Sequence, residues 1–148
     1  MLHIKHILCP TDFSEYSNYA LSLATSFAKE HDAEIHIVHV YQGLFAYTDG
    51  DELGFIPPAD MEPAKESLEK IKPRDGSVRF RRKFVVGEPT FELVEYAKQE
   101  HIDLIVMGTH GWTGLDRLLM GSVAESVVRR APCPVLTLKH AATKLESA

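Results

Sequence analysis

The chain has 148 residues, with 16 Lys and Arg against 21 Asp and Glu, a formal charge of −5, and 45% hydrophobic and 25% charged residues. That length suits one domain with a sizeable core; the apolar content excludes disorder, two cysteines exclude a disulfide scaffold, and no apolar run nears the roughly 20 residues that span a bilayer. The acidic balance argues against a general ligand for nucleic acid or an anionic membrane, and Pro10, Thr11 and Asp12 cut the apolar stretch after Ile7 too short for a signal peptide, so a soluble cytoplasmic protein is expected.

The predicted elements alternate. A strand is expected over residues 4–9, ending at Pro10. Ser14 is a plausible N-cap for a helix whose apolar positions Tyr16, Tyr19, Ala20, Leu23, Ala24 and Phe27 recur every three or four residues, and His31 and Asp32 end it. Residues 33–40, reading AEIHIVHV, form the second strand. A long connection over 41–60 carries Gly43, Gly50, Gly54, Pro57 and Pro58 and is expected to be mobile and functional. A helix over 63–71 starts with Pro63 in its first turn, and the turn Pro73-Arg74-Asp75-Gly76 follows it. Strand 78–86, helix 89–100, strand 102–107, a helix from Gly121 or Ser122 to about 131, and strand 134–138 complete the series. Strands and helices alternating this way make an α/β fold with a parallel sheet. Near-continuous apolar strands fit a sheet covered on both faces.

In such a sheet, ligands bind beyond the carboxyl ends of the strands, where strand order reverses. Two strand ends carry unusual chemistry. The first is Cys9-Pro10-Thr11-Asp12. The other begins Met107-Gly108-Thr109-His110-Gly111-Trp112-Thr113-Gly114 and reaches Gly121-Ser122 at a helix start. Gly108 and Gly111 permit a tight turn and close approach to a ligand. A helix start offers free N–H groups and the positive end of its dipole, so Gly121 and Ser122 suit phosphate, with the Ser hydroxyl as a further donor. The alternative is a glycine-rich turn in which Ser122 caps its own helix. The stretch lacks the Gly-Lys-Ser/Thr of a Walker loop, and its glycine spacing is not a dinucleotide fingerprint.

Gly108, Gly111, nine intervening residues and then Gly121-Ser122 resemble the Gly-x2-Gly-x9-Gly-Ser/Thr motif of the ATP-binding universal stress proteins. The resemblance extends to Pro10-Thr11-Asp12-Phe13-Ser14, His39-Val40, Gly87-Glu88-Pro89, Gly121-Ser122-Val123-Ala124-Glu125 and Ala131-Pro132-Cys133-Pro134-Val135-Leu136. It covers residues 2–139, and implies one domain over 1–140 with a short tail over 141–148. The implied fold is a five-stranded parallel sheet of order 3-2-1-4-5, Rossmann-like, with two helices on each face. Asp12 and the backbone of Val40 would recognise adenine, with Pro10 and Thr11 shaping the pocket wall. Met107 and Gly108 would line the ribose side. Gly111, Gly121, Ser122 and Val123 would hold ribose and phosphates, with or without Mg²⁺, and His110 lies within reach inside the same loop. Trp112 departs from the polar or basic residue many relatives carry.

The resemblance also implies a homodimer through the last strand, at Val135, Leu136, Thr137 and Leu138, whose short apolar edge favours pairing with a second copy. The expected role is a stress-response sensor or regulator that acts on an unidentified protein partner. No set of nucleophile, base and orienting group stands out, so ATP hydrolysis or self-phosphorylation would be slow at most. A dimeric interaction module that binds no nucleotide is the alternative.

Other residues have simpler readings. Asp12 is not a receiver-type phosphorylation site, because no acidic pair precedes it and strand three ends in Val86-Gly87-Glu88. Pro10-Thr11-Asp12 also departs from the Ser-Gly-Gly-x-Asp-Ser of adenylating pyrophosphatases. His36 and His39, three apart on a strand, face opposite sides and share no ion, so no metal site is expected. Arg79, Arg81, Arg82 and Lys83 fit a charged edge strand that resists unwanted pairing rather than a nucleic-acid patch. Cys9 and Cys133 read as small buried residues in strands.

Overall fold

The computed structural model describes residues 2–42, 44–47, 53–56, 60–109 and 121–139, and for 44–47 and 53–56 the backbone alone. The elements in chain order are β1 (His6–Pro10), α1 (Glu15–His31), β2 (Glu34–Tyr41), β3 (Leu44–Tyr47), β4 (Leu53–Ile56), α2 (Glu62–Glu69), β5 (Phe80–Val86), α3 (Pro89–Gln99), β6 (Leu104–Gly108), α4 (Ser122–Arg130) and β7 (Val135–Leu138).

Five strands form one parallel sheet in the order β5-β2-β1-β6-β7. Counting only these strands along the chain, the order is 3-2-1-4-5, as expected. The alternation of side chains along each strand divides the core in two. Ile7 and Cys9 of β1, Ile35 and Ile37 of β2, and Leu104 and Val106 of β6 pack with Ala20, Ala24 and Ala28 of α1 and Leu68 of α2. Leu8, Val38, Ile105 and Met107 point the other way, onto Leu93 and Ala97 of α3 and Ala124 and Val127 of α4. Helices on both faces explain why the inner strands are apolar at nearly every position. No helix among the described residues is long and apolar enough to cross a membrane.

Local chemistry sets the helix ends. The Ser14 side chain accepts a hydrogen bond from the Ser17 N–H and starts α1, which ends at Asp32 in a left-handed conformation with φ 53°. The Glu88 carboxylate accepts from the N–H groups of Thr90 and Phe91 at the start of α3. Pro89 occupies the first turn of α3, where its missing N–H costs nothing.

Three expectations need correction. The connection over 41–60 holds two short strands, β3 and β4, paired antiparallel with Leu44 opposite Ile56 and Tyr47 opposite Leu53. Gly54 lies inside β4, opposite Ala46, so a glycine in this connection does not by itself break a strand. The expected mobility of this connection falls largely on residues outside the described ones. Arg79 precedes β5, and Cys133 lies in the turn before β7 rather than in a strand. Cys9 is fully buried in β1, and burial pushes its thiol up to about 12.

Candidate functional site

Strand order reverses between β1 and β6: from β1 the chain continues to β2 on one side, and β6 lies on the other. Beyond the carboxyl ends of these strands is a cavity of about 390 Å³, within the size range of small-molecule pockets. Pro10, Thr11 and Asp12 follow from β1 into its wall, Val38 and Val40 enter from β2, and Met107 and Gly108 from β6. Gly121, Ser122 and Val123 close it from the start of α4.

The turn from β1 to α1 is tightly braced. Thr11 N–H donates to the Val38 carbonyl at 2.9 Å, and the Thr11 hydroxyl lies 3.2 Å from the Ser17 hydroxyl and accepts from Phe13 N–H at 3.1 Å. Asp12 Oδ1 accepts from Ser14 N–H at 2.9 Å. Phe13 adopts φ 66°, a left-handed conformation that costs a non-glycine residue on the order of 1–3 kcal/mol. Its ring packs on His39 with centroids 4.4 Å apart. His39 Nδ1 donates to the Thr11 carbonyl at 2.8 Å, tying β2 to the turn. Burial holds the His39 imidazole below its ordinary pKa, partly offset by that hydrogen bond and the Asp12 carboxylate. Asp12 and His39 are the two titratable side chains among the cavity's described lining, and burial favours the uncharged form of the His39 imidazole.

The opposite wall is built from helix starts. Gly121 is the N-cap of α4 with φ −58° and ψ 152°, and no side chain caps the helix. Ser122 is therefore the first helical residue and not a cap. Gly121 N–H donates to the Thr109 carbonyl at 2.6 Å, so the backbone entering and leaving segment 110–120 is pinned together. The N–H groups of Ser122, Val123 and Ala124 lack intrahelical partners, as at every helix start, and carry the positive end of the helix dipole.

Nine sequence-predicted residues thus line one cavity: Pro10, Thr11, Asp12, Val40, Met107 and Gly108, with Gly121, Ser122 and Val123 across from them. His110, Gly111 and Trp112 lie outside the described residues. His36 and His39 face opposite sides of the sheet, as expected, and only His39 reaches the cavity. Sequence reasoning assigned no cavity role to Ser17, His39, Gln42, Pro89, Leu93 or Thr109. Pro89 had a signal in the turn Gly87-Glu88-Pro89. His39 had one too, since a strand's last residues reach the site whichever face they occupy.

Comparison with known proteins agrees with this architecture. The model of the universal stress protein family matches residues 3–139. The chain belongs to the universal stress protein family. It is 40% identical over 142 residues to universal stress protein MJ0531 of Methanocaldococcus jannaschii, covering 91% of this chain and 82% of that one. The solved structure of MJ0577, from the same organism, superposes with a TM-score of 0.74 at 30% identity, covering 93% of this chain and 96% of that one. A universal stress protein solved in complex with cAMP superposes with a TM-score of 0.66 at 27% identity, over 93% of this chain and 98% of that one.

Proposed function

We propose that this universal stress protein binds ATP in the cavity at the β1–β6 reversal and acts as a nucleotide-responsive regulator in the cytoplasm. The observation that carries the reading is the cavity's two-sided chemistry. One side offers an acceptor, the Asp12 carboxylate, beside apolar Val40 and Met107, and the other offers a helix start with no side-chain cap. The first suits an adenine ring with its exocyclic amine, and the second suits phosphate. A relative solved with cAMP supports an adenine nucleotide. Asp12 and the Val40 backbone hold adenine, with Pro10 and Thr11 as wall. Met107 and Gly108 flank the ribose. Gly111, Gly121, Ser122 and Val123 receive the phosphates, with Mg²⁺ as an optional companion and His110 nearby.

Regulation is favoured over catalysis because Asp12 already accepts the Ser14 N–H and His39 already donates to Thr11. The proposal extends to a homodimer paired through β7, the edge strand formed by Val135, Leu136, Thr137 and Leu138.

Isothermal titration of the full chain with ATP, AMP and GTP tests the reading. Saturable binding of ATP in preference to GTP is expected. Gly121 has a backbone conformation open to any residue, so Gly121→Val should leave the circular dichroism spectrum unchanged and weaken ATP by about tenfold or more, roughly 1.4 kcal/mol. No heat with any adenine nucleotide would overturn the proposal and leave the nucleotide-free interaction module. Undiminished affinity in Gly121→Val would show that the phosphates sit elsewhere.

A further inference from the structure

The parallel pairing of β1 with β2 sets His6 opposite Glu34. Glu34 and His36, two apart on β2, share a face of the sheet with His6. On that face three donor atoms converge. His6 Nδ1 lies 3.2 Å from His36 Nε2, Glu34 Oε1 lies 3.4 Å from the same Nε2, and all three lie within 4.8 Å of one another. A tetrahedral ion with metal–ligand bonds of about 2.0–2.1 Å separates neighbouring ligand atoms by roughly 3.3–3.4 Å. The separations of 3.2 and 3.4 Å fall close to that edge.

The surroundings favour an ion as well. His36 is 1% exposed, and its other nitrogen, Nδ1, is occupied by the Tyr96 hydroxyl at 2.7 Å. Outer partners of this kind fix the ring of a ligating histidine. His6 and Glu34 are half-buried, so solvent and an ion can reach the third side of the cluster. The Arg81 charge lies within electrostatic reach of His36. The charged and titratable groups around it are His6, Glu34, Arg81 of β5, Tyr96 of α3, and Glu100 just after α3. Arg81 is the competing cation, donating to Glu34 Oε1 at 2.6 Å. Arg81 Nη2 also lies 2.6 Å from that same Oε1, the oxygen that faces His36, so an ion shares it with the guanidinium or takes the other carboxylate oxygen.

We propose that His6, Glu34 and His36 form a zinc site, with water in the fourth position. Two imidazoles and one carboxylate suit Zn²⁺, whereas Ca²⁺ and Mg²⁺ select all-oxygen sets. His6 lies about 13 Å of β1 away from Pro10 at roughly 3.3 Å per residue, and none of the three residues lines the nucleotide cavity. Reading His36 against His39 misses it, because its partners sit on a neighbouring strand and two residues back on its own.

The test is titration of the untagged full chain with ZnCl₂, followed by calorimetry and thermal unfolding. One ion per chain and a raised melting temperature are expected. His6→Ala and the shape-conserving Glu34→Gln should each weaken zinc by about tenfold or more, Tyr96→Phe by about tenfold, and all three should keep the affinity for ATP that the native chain has. No saturable zinc binding would overturn the proposal. So would unchanged affinity in both His6→Ala and Glu34→Gln, which would send the ion to other histidines.

Discussion

His39 and His36 show how one residue type does different work on opposite faces of a strand. Both are held below the ordinary imidazole value of 6.5, burial being the larger cause in each. The unfolded chain therefore takes up protons before the folded one as pH falls. The associated stability is fully present above 6.5 and is lost as pH drops through the lowered folded values. Asp75, which Lys29 and Ser77 hold well below the usual carboxylate range, adds its own loss only below its ordinary value of 3.8. Urea midpoints should thus fall between about pH 7.5 and about pH 5.5, and His39→Asn, which can still donate to the Thr11 carbonyl, should flatten that fall. An unchanged slope would mean that His39 titrates alike in both states. At this scale the sequence was only partly legible. Asp12 stood out because it follows a strand directly. The left-handed backbone of Phe13 did not, since nothing in an aromatic residue's identity forecasts φ 66°.

Among the elements, α1 depends most visibly on one side chain. Ser14 is buried, caps the helix through Ser17 N–H, and donates its own N–H to Asp12 Oδ1. Ser14→Ala should destabilise the chain by about 1 kcal/mol, read as a lower urea midpoint at constant slope, while Ser14→Asp should retain most of it. A neutral Ser14→Ala would mean that Asp12 and the Thr11–Ser17 contact suffice to start the helix. Elements with a strong local signal were legible: the Ser14 cap, Pro89 in a first turn, and strands with apolar residues on both faces. The pair β3 and β4 was not. Four-residue runs among glycines and prolines, one of them holding Gly54, look like loop until a partner strand supplies the ladder, and that partner is a tertiary fact. The His6, Glu34 and His36 cluster was hidden for the same reason, because register between β1 and β2 brings it together and spacing along the chain does not.

For the molecule as a whole, the two edges of the sheet differ. In a parallel ladder where Pro134 and Leu138 carbonyls accept from β6, the backbone groups of Val135 and Thr137 turn outward. Thr137→Pro removes an outward N–H and no bond within the sheet, so it should convert the proposed dimer to a monomer by light scattering while leaving circular dichroism intact. A native chain that is monomeric at high concentration would remove the dimer from the proposal. At the other edge, β5 presents Arg81, Arg82 and Lys83, with Arg81 paired to Glu34 and Arg82 bonded to the Ile71 carbonyl. A second copy meeting that edge would set like charges against each other. Growth by strand addition is thus open at one end only. If two copies join through β7 as proposed, charged borders lie on both outer sides and the sheet would stop at two copies. In that proposed pair the charged border would act as a terminator, and replacing those cations with apolar residues is the change that would turn a closed pair into an open-ended ribbon.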